Sequence, residues 1–167
     1  MGIAQIPAPA TPSVPNWTFV TSSAPTGVST VTFSGLSGYS KYRILAPNLV
    51  PSGVANFQFR LNADSGSNYN TNLAGWSGGT ASTSGNTPTT QGMISFGSLT
   101  SAWSFQLDID HALLATPKFI SGYSQNATNT VWNILGTYIT TSAITSITLL
   151  TSANNFSTGT IYLLGAN

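Results

Sequence analysis

Titratable side chains cluster at one place in the sequence, the segment Asp108-Ile109-Asp110-His111. On a strand, the two aspartates would share one face, so their carboxylates could bind a cation or act as an acid and base pair. Two aspartates on the solvent face of a strand that ends next to a histidine are also an ordinary surface arrangement. A serine triad through His111 would need a nucleophile, but no G-x-S-x-G motif occurs at a strand-to-helix junction. The segment therefore does not predict an enzyme.

A second segment, residues 62–68, has oxygen-bearing side chains at alternate positions and a glycine for a turn, like the first half of a calcium loop. An EF-type loop closes on a carboxylate, and Leu73 stands at that position instead. The chain has one histidine, no cysteine and no glutamate, so it is poor in metal ligands. We expect no catalytic residue, no metal site and no cofactor, and we expect residues 62–68 to form an Asx-type turn that ends a strand.

The elements that position these residues are predicted to be β-strands. From Trp17 onward, apolar and polar residues alternate over short stretches that are separated by Gly, Pro, Asn and Ser. The pattern predicts an all-β fold, an antiparallel β-sandwich of the jelly-roll type, with Trp103 and Trp132 in its core. Strands are predicted at residues 17–21, 29–34, 41–46, 54–62, 91–97, 102–110, 117–123, 129–140, 144–151 and 159–165.

The first 16 residues are predicted to form a Pro-rich arm, separate from one β-sandwich domain at residues 17–167. Their prolines exclude a helix and favour an extended, polyproline-like conformation. The arm is either an unstructured leader or a segment that becomes ordered on a neighbouring subunit. Its candidate assembly residues are Ile3, Ile6, Pro7, Pro9, Pro12, Val14 and Pro15.

Residues 64–90 form the longest low-complexity stretch, and they are predicted to be a long polar loop. A loop of this length inside a compact domain is usually functional or mobile. Its large apolar side chains, Tyr69, Leu73 and Trp76, either pin the loop to the core or point outward as a surface contact. Both interpretations remain open from the sequence alone.

The chain is unusually poor in charge, with four Lys or Arg residues and three aspartates among 167 residues. Charged residues make up 4% of the chain, against about 25% in a typical soluble domain. No basic surface is available for nucleic acid or for an anionic membrane, so we expect neither as a partner. Weak charge also removes the repulsion that keeps protein surfaces apart, and we therefore expect the chain to work inside an assembly.

Four segments of the chain carry a recognisable pattern. Residues 31–45 read V-T-F-S-G-L-S-G-Y-S-K-Y-R-I-L, residues 60–69 read R-L-N-A-D-S-G-S-N-Y, and residues 143–149 and 156–165 read A-I-T-S-I-T-L and F-S-T-G-T-I-Y-L-L-G. They resemble a family of small tailed-bacteriophage virion proteins, which typically read T-F-x-x-I-P-x-x-Y, R-F-N-G-D-x-G-x-N-Y and a closing L-Y-G. This chain has Ala63 where the family commonly has glycine, and Leu164 where it commonly has tyrosine. The resemblance implies a β-sandwich subunit of a phage particle without catalytic residues.

The leading hypothesis is a non-enzymatic capsid decoration (cement) protein on the virion surface. Such a protein would form a homotrimer and bind the major capsid protein or other virion proteins through its arm and sandwich. One sandwich with a short arm favours this role, because a long fibre would need heptads, β-helix repeats or a second domain. The alternative is a tail-fibre or receptor-binding appendage whose 64–90 loop contacts host surface glycans. A third hypothesis, a bacterial carbohydrate-binding module, would normally require a fused catalytic domain.

Overall fold

The part of the chain that the structure describes forms two antiparallel β-sheets, which confirms the predicted all-β sandwich. The computed structural model describes residues 15–85, 88–96 and 100–167. Residues 1–14 of the predicted arm, with its candidates Ile3, Ile6, Pro7, Pro9, Pro12 and Val14, lie outside these ranges. The strands are β1 (Thr18–Ser23), β2 (Thr30–Ser34), β3 (Lys41–Pro51), β4 (Phe57–Leu61), β5 (Tyr69–Ser77), β6 (Thr80–Gly85), β7 (Gly92–Met93), β8 (Trp103–Asp110), β9 (Lys118–Asn126), β10 (Val131–Tyr138), β11 (Ser146–Thr151), β12 (Phe156–Thr158) and β13 (Ile161–Ala166).

The strand order contains a complete jelly roll. The large sheet has the order β1-β13-β3-β8-β9-β10-β5-β6, with β12 also paired to β3, and the small sheet has the order β2-β11-β4-β7. The group β1-β13-β3-β8 and the small sheet together follow the double Greek-key winding of an eight-stranded jelly roll. The predicted jelly-roll type therefore has a topological basis.

Four further strands extend the large sheet beyond β8, and we call them the wing. The hairpin β9–β10 is inserted between β8 and β11, and the hairpin β5–β6 is inserted between β4 and β7. β10 pairs with β9 on one side and with β5 on the other. The large sheet is therefore about twice as wide as the jelly roll alone requires.

The core lies between the two sheets and follows the strand periodicity. On β8, buried and partly exposed residues alternate along the whole strand, as the sequence predicts. The rings of Phe57 on the small sheet and Phe156 on the large sheet are stacked, with centroids 5.8 Å apart. Trp103 and Trp132 are both fully buried, which confirms their predicted place in the core. Burying each of these side chains stabilises the fold by about 2–3 kcal/mol.

The predicted 64–90 loop is wrong over most of its length, because β5 and β6 form a hairpin there. Gly78 and Gly79 both have positive φ, which is what a two-residue hairpin turn of type I′ requires. The strand pattern is hard to see in the sequence because two of its inward positions, Thr71 and Gly75, are polar or small. The short strand β12 was not predicted either, and the predicted strand 91–97 is confined to Gly92–Met93 in the described residues.

The segment that follows β7 attaches the inner face of the wing to the core. The indole nitrogen of Trp132 donates a hydrogen bond to the carbonyl of Phe96 at 2.8 Å. The hydroxyl of Ser124 donates to the carbonyl of Ile94 at 2.6 Å. These bonds connect β9 and β10 to residues 94–96. The wing is therefore held by contacts on its inner face as well as by the strand pairings of the large sheet.

Candidate functional site

The predicted cluster of titratable residues is a pair of separate ion pairs. Arg43 donates to both carboxylate oxygens of Asp108, at 2.7 and 2.6 Å, and Lys41 lies 2.8 Å from Asp110. His111 is exposed just after the strand. Each carboxylate therefore has its own cation on β3, which supports the interpretation of both as structural surface residues. Among the residues that the structure describes, no group of three or more His, Asp or Glu side chains could hold a metal ion.

Asp64 forms the predicted Asx-type turn at the end of β4. One carboxylate oxygen accepts from the backbone N–H of Gly66 at 2.7 Å. The other oxygen accepts from the amide of Asn68 at 2.7 Å and from the hydroxyl of Tyr138 at 2.9 Å. The carboxylate is thus used to join the turn to the wing, and its role is structural.

These hydrogen bonds make the stability of the protein depend on pH. Burial raises the pKa of Asp64, but the bonds from Gly66, Asn68 and Tyr138 lower it by more, so its pKa lies below the ordinary value of an aspartate. The charged form therefore stabilises the fold above the pKa of the unfolded chain, about 4, and this stabilisation is lost as the pH falls through the lower folded-state pKa. In urea denaturation at neutral pH, the free energy of unfolding of Asp64→Asn should be well below that of the wild type. The difference should shrink at about pH 2; a difference that does not change with pH would contradict this role.

The turn that carries Asp64 contains a strained alanine. Asn62 and Ala63 both have φ of 55°, and the N–H of Asp64 donates to the carbonyl of Leu61 at 3.0 Å. This geometry is a type I′ turn, which favours asparagine and then glycine. An alanine in the left-handed region costs about 1–2 kcal/mol relative to its preferred conformations.

Replacing Ala63 by glycine should therefore stabilise the protein. We expect Ala63→Gly to raise the free energy of unfolding by about 1 kcal/mol, measured by urea denaturation, because glycine adopts this φ without strain. Asn62→Gly is the matched control at the same φ. It removes the bonds that the Asn62 side chain makes with the N–H of Thr145 and the carbonyl of Ala143, so it should lower stability. Destabilisation by Ala63→Gly would contradict the account of the turn.

The remaining charged side chains are also bound within the molecule. Lys118 is buried, and its ammonium group donates to the carbonyls of Leu114 and Thr116, both at 2.6 Å. Burial lowers the pKa of this lysine. Arg60 donates to the side chain of Gln91 at 3.0 Å. All seven charged side chains of the chain thus have internal partners, and little charge is left to attract a ligand.

The outer face of the wing exposes large apolar side chains instead. Trp76 is 57% exposed and Leu135 is 56% exposed, although both lie within strands. Val131 is the cross-strand neighbour of Trp76, and Phe119 lines one shallow cleft with Leu135. We call this surface the wing patch; it consists of Trp76, Phe119, Tyr123, Val131 and Leu135.

The predicted surface-contact residues of the 64–90 segment divide between the two faces of the wing. Tyr69 and Leu73 are buried, so of the two interpretations they pin the segment to the core and are not a surface contact. The hydroxyl of Tyr69 accepts from the N–H of Leu61 at 2.8 Å, which fixes the end of β4. Of the three, only Trp76 points outward. It lies seven residues after Tyr69 on β5, and side chains an odd number of residues apart on a strand point to opposite faces.

Phe119 and Leu135 belong to the wing patch and were not predicted. A signal for Leu135 exists in the sequence. β10 carries Trp132 and Ile134 on its buried face, but it also carries Val131 and Leu135 on the opposite face. A strand that is apolar on both faces is either covered on both sides or exposes one face for an interface.

No protein-family model, no curated protein and no solved structure matches this chain. The described residues contain no helix that is long and apolar enough to cross a membrane. A broad sheet face with apolar side chains, amides and hydroxyls, and with its charges already paired, suits contact with another protein surface.

Proposed function

We propose that this protein is a non-enzymatic structural subunit of a tailed-phage particle, and specifically a capsid decoration protein. The wing patch is the observation that carries the proposal. Exposed apolar side chains in regular strands are costly for a protein that remains alone in water, and they are the usual core of a protein interface. The patch lies on a sheet wider than a jelly roll needs, so the inserted hairpins serve to enlarge a contact surface.

In this proposal the wing patch binds the shell, and the Pro-rich arm at residues 1–16 reaches a neighbouring subunit. Ion pairs contribute little to attachment, because Arg43, Lys41 and their aspartates are already paired within one chain. Attachment should consequently depend weakly on salt concentration. The predicted homotrimer and its binding to the major capsid protein belong to the same proposal.

The test is to add the purified protein to particles of the encoding phage that were assembled without it. The full chain should sediment with the particles. Deletion of residues 1–16 should reduce occupancy about tenfold or more, because the arm contributes a second contact. Unchanged occupancy after the deletion would remove the arm from the attachment mechanism, and failure of the full chain to bind would reject the decoration role.

Trp76 favours a second candidate function, a receptor-binding appendage. Its exposed indole lies in a shallow cleft together with Ser82, Thr83 and Asn133. Sugars stack on aromatic rings and form hydrogen bonds with such hydroxyls and amides. The purified protein should then bind host cells or their surface polysaccharide, and Trp76→Ala should weaken that binding without unfolding. A wild-type protein that does not bind host cells would exclude this function.

A further inference from the structure

A groove crosses the outer face of the large sheet between two tyrosines, Tyr123 on β9 and Tyr162 on β13. Leu45 and Pro47 of β3 line its floor, and its volume is about 340 Å³. The register places Tyr123 and Tyr162 in one row across the sheet, with β8 and β3 between them. Three strand spacings separate their backbones, about 14 Å, so the groove runs along the strands between two aromatic walls.

The lining of the groove suits an uncharged, extended ligand. Gln125 adds a side-chain amide to the apolar floor and the aromatic walls, while the hydroxyl of Ser104 already donates to the carbonyl of Pro47. None of the lining residues carries a charge. Grooves with aromatic walls bind Pro-rich segments in the polyproline II conformation, because that backbone is already extended and leaves its carbonyls free for hydrogen bonds.

The chain itself contains a segment of this chemistry at residues 3–15. A polyproline II helix has three residues per turn, so every third side chain lies on the same side. Ile3, Ile6, Pro9, Pro12 and Pro15 recur at this spacing. In that conformation they would form one continuous apolar ridge, with about 9 Å between successive members.

The position of Trp17 indicates which copy of the arm can reach the groove. The Trp17 ring lies over the guanidinium of Arg43, with 4.2 Å to the ring centroid. β1 pairs with β13 from Thr18 opposite Gly165 to Ser23 opposite Ile161. The chain that precedes Thr18 therefore comes from the Lys41 end of β3, next to Tyr42, whereas the groove lies further along that strand, at Leu45 and Pro47. A proline-stiffened arm of the same chain would have to reverse its direction to enter.

We propose that the groove between Tyr123 and Tyr162 receives residues 3–14 of a second copy of this chain. The apolar ridge of that arm packs between the tyrosine rings, and the side-chain amide of Gln125 donates a hydrogen bond to its backbone. Twelve residues in this conformation span about 37 Å, which is enough to connect two neighbouring domains. The proposal rests on the assembly function above and gives its arm a specific receptor.

Disulfide crosslinking tests the proposal in the full chain, because the sequence has no cysteine of its own. One variant carries Gln125→Cys in the groove, and the other, marked by a tag, carries Ala10→Cys in the arm. The mixed pair should form a disulfide-linked heterodimer about tenfold or more faster than a control pair. In the control pair, Ser34→Cys replaces Gln125→Cys; Ser34 is exposed on the small sheet. Adding Tyr123→Ala and Tyr162→Ala to the groove variant should reduce the rate to that of the control.

Each other outcome overturns the proposal. Equal rates for Gln125→Cys and Ser34→Cys would mean that the arm does not select the groove. A third variant carries Gln125→Cys and Ala10→Cys in one chain. If it forms an internal disulfide while the mixed pair forms no heterodimer, the groove binds the arm of the same copy. Because the experiment uses purified protein, crosslinking that fails while the protein still binds particles rejects the groove and leaves the decoration role intact.

Discussion

The double substitution Phe119→Lys and Leu135→Lys is expected to abolish attachment of the protein to the particle while leaving the protein folded. The double substitution places two uncompensated charges in the middle of a contact that is otherwise apolar. Each buried hot-spot residue typically contributes 2 kcal/mol or more, so we expect at least about a 100-fold loss of affinity in the sedimentation assay. Both side chains are exposed in the free protein, so the free energy of unfolding should change by less than about 1 kcal/mol.

The matched control places the same charge on the opposite side of the molecule. Thr30 and Ser34 are exposed on β2, on the outer face of the small sheet. The double substitution Thr30→Lys and Ser34→Lys should leave attachment within about threefold of the wild type. If both lysine pairs weaken attachment equally, general charge would be the cause, and the wing patch would lose its assigned role.

Replacing Trp132 by alanine should destabilise the protein by about 4 kcal/mol, the largest stability effect that we expect. The side chain is fully buried on the inner face of the wing, and its loss leaves a cavity and an unpaired carbonyl at Phe96. Since a domain of this kind is stable by only about 5–15 kcal/mol, thermal and urea unfolding should both detect the change easily.

Trp76→Ala provides an internal comparison for this prediction. Trp132 is paired with Gly75, so Trp76 is its close neighbour in the sheet but points to the opposite face. Its removal should change the free energy of unfolding by less than about 1 kcal/mol. A larger loss in the free energy of unfolding for Trp76→Ala than for Trp132→Ala would mean that Trp76, and not Trp132, lies on the buried face of the wing.

Much of the fold can be predicted from local patterns, and β8 explains why. Its large apolar residues occupy every second position, and this period of two is a direct consequence of strand geometry. The Asx turn at Asp64 is equally local, because its donors Gly66 and Asn68 follow within four residues. The hairpin β5–β6 escaped prediction because polar Thr71 and small Gly75 occupy inward positions, where their neighbours rather than their own hydrophobicity determine burial.

The candidate site was less predictable, because it depends on pairings between distant segments. Val131 and Trp76 meet only because β10 pairs with β5, and no local pattern encodes that pairing. The two tyrosines of the groove come together through β13, β3, β8 and β9 in the same way. The sequence indicated a surface that is poor in charge, but only the sheet order places its exposed apolar side chains on one face.

Immunogold labelling of intact particles with an antibody against this protein tests the central claim most directly. The decoration role predicts gold distributed over the whole head, at many positions on each particle. Gold confined to the tail would contradict that role and favour the appendage, with Trp76 as the first residue to change. Particles without any label would contradict the assignment of this protein to the virion.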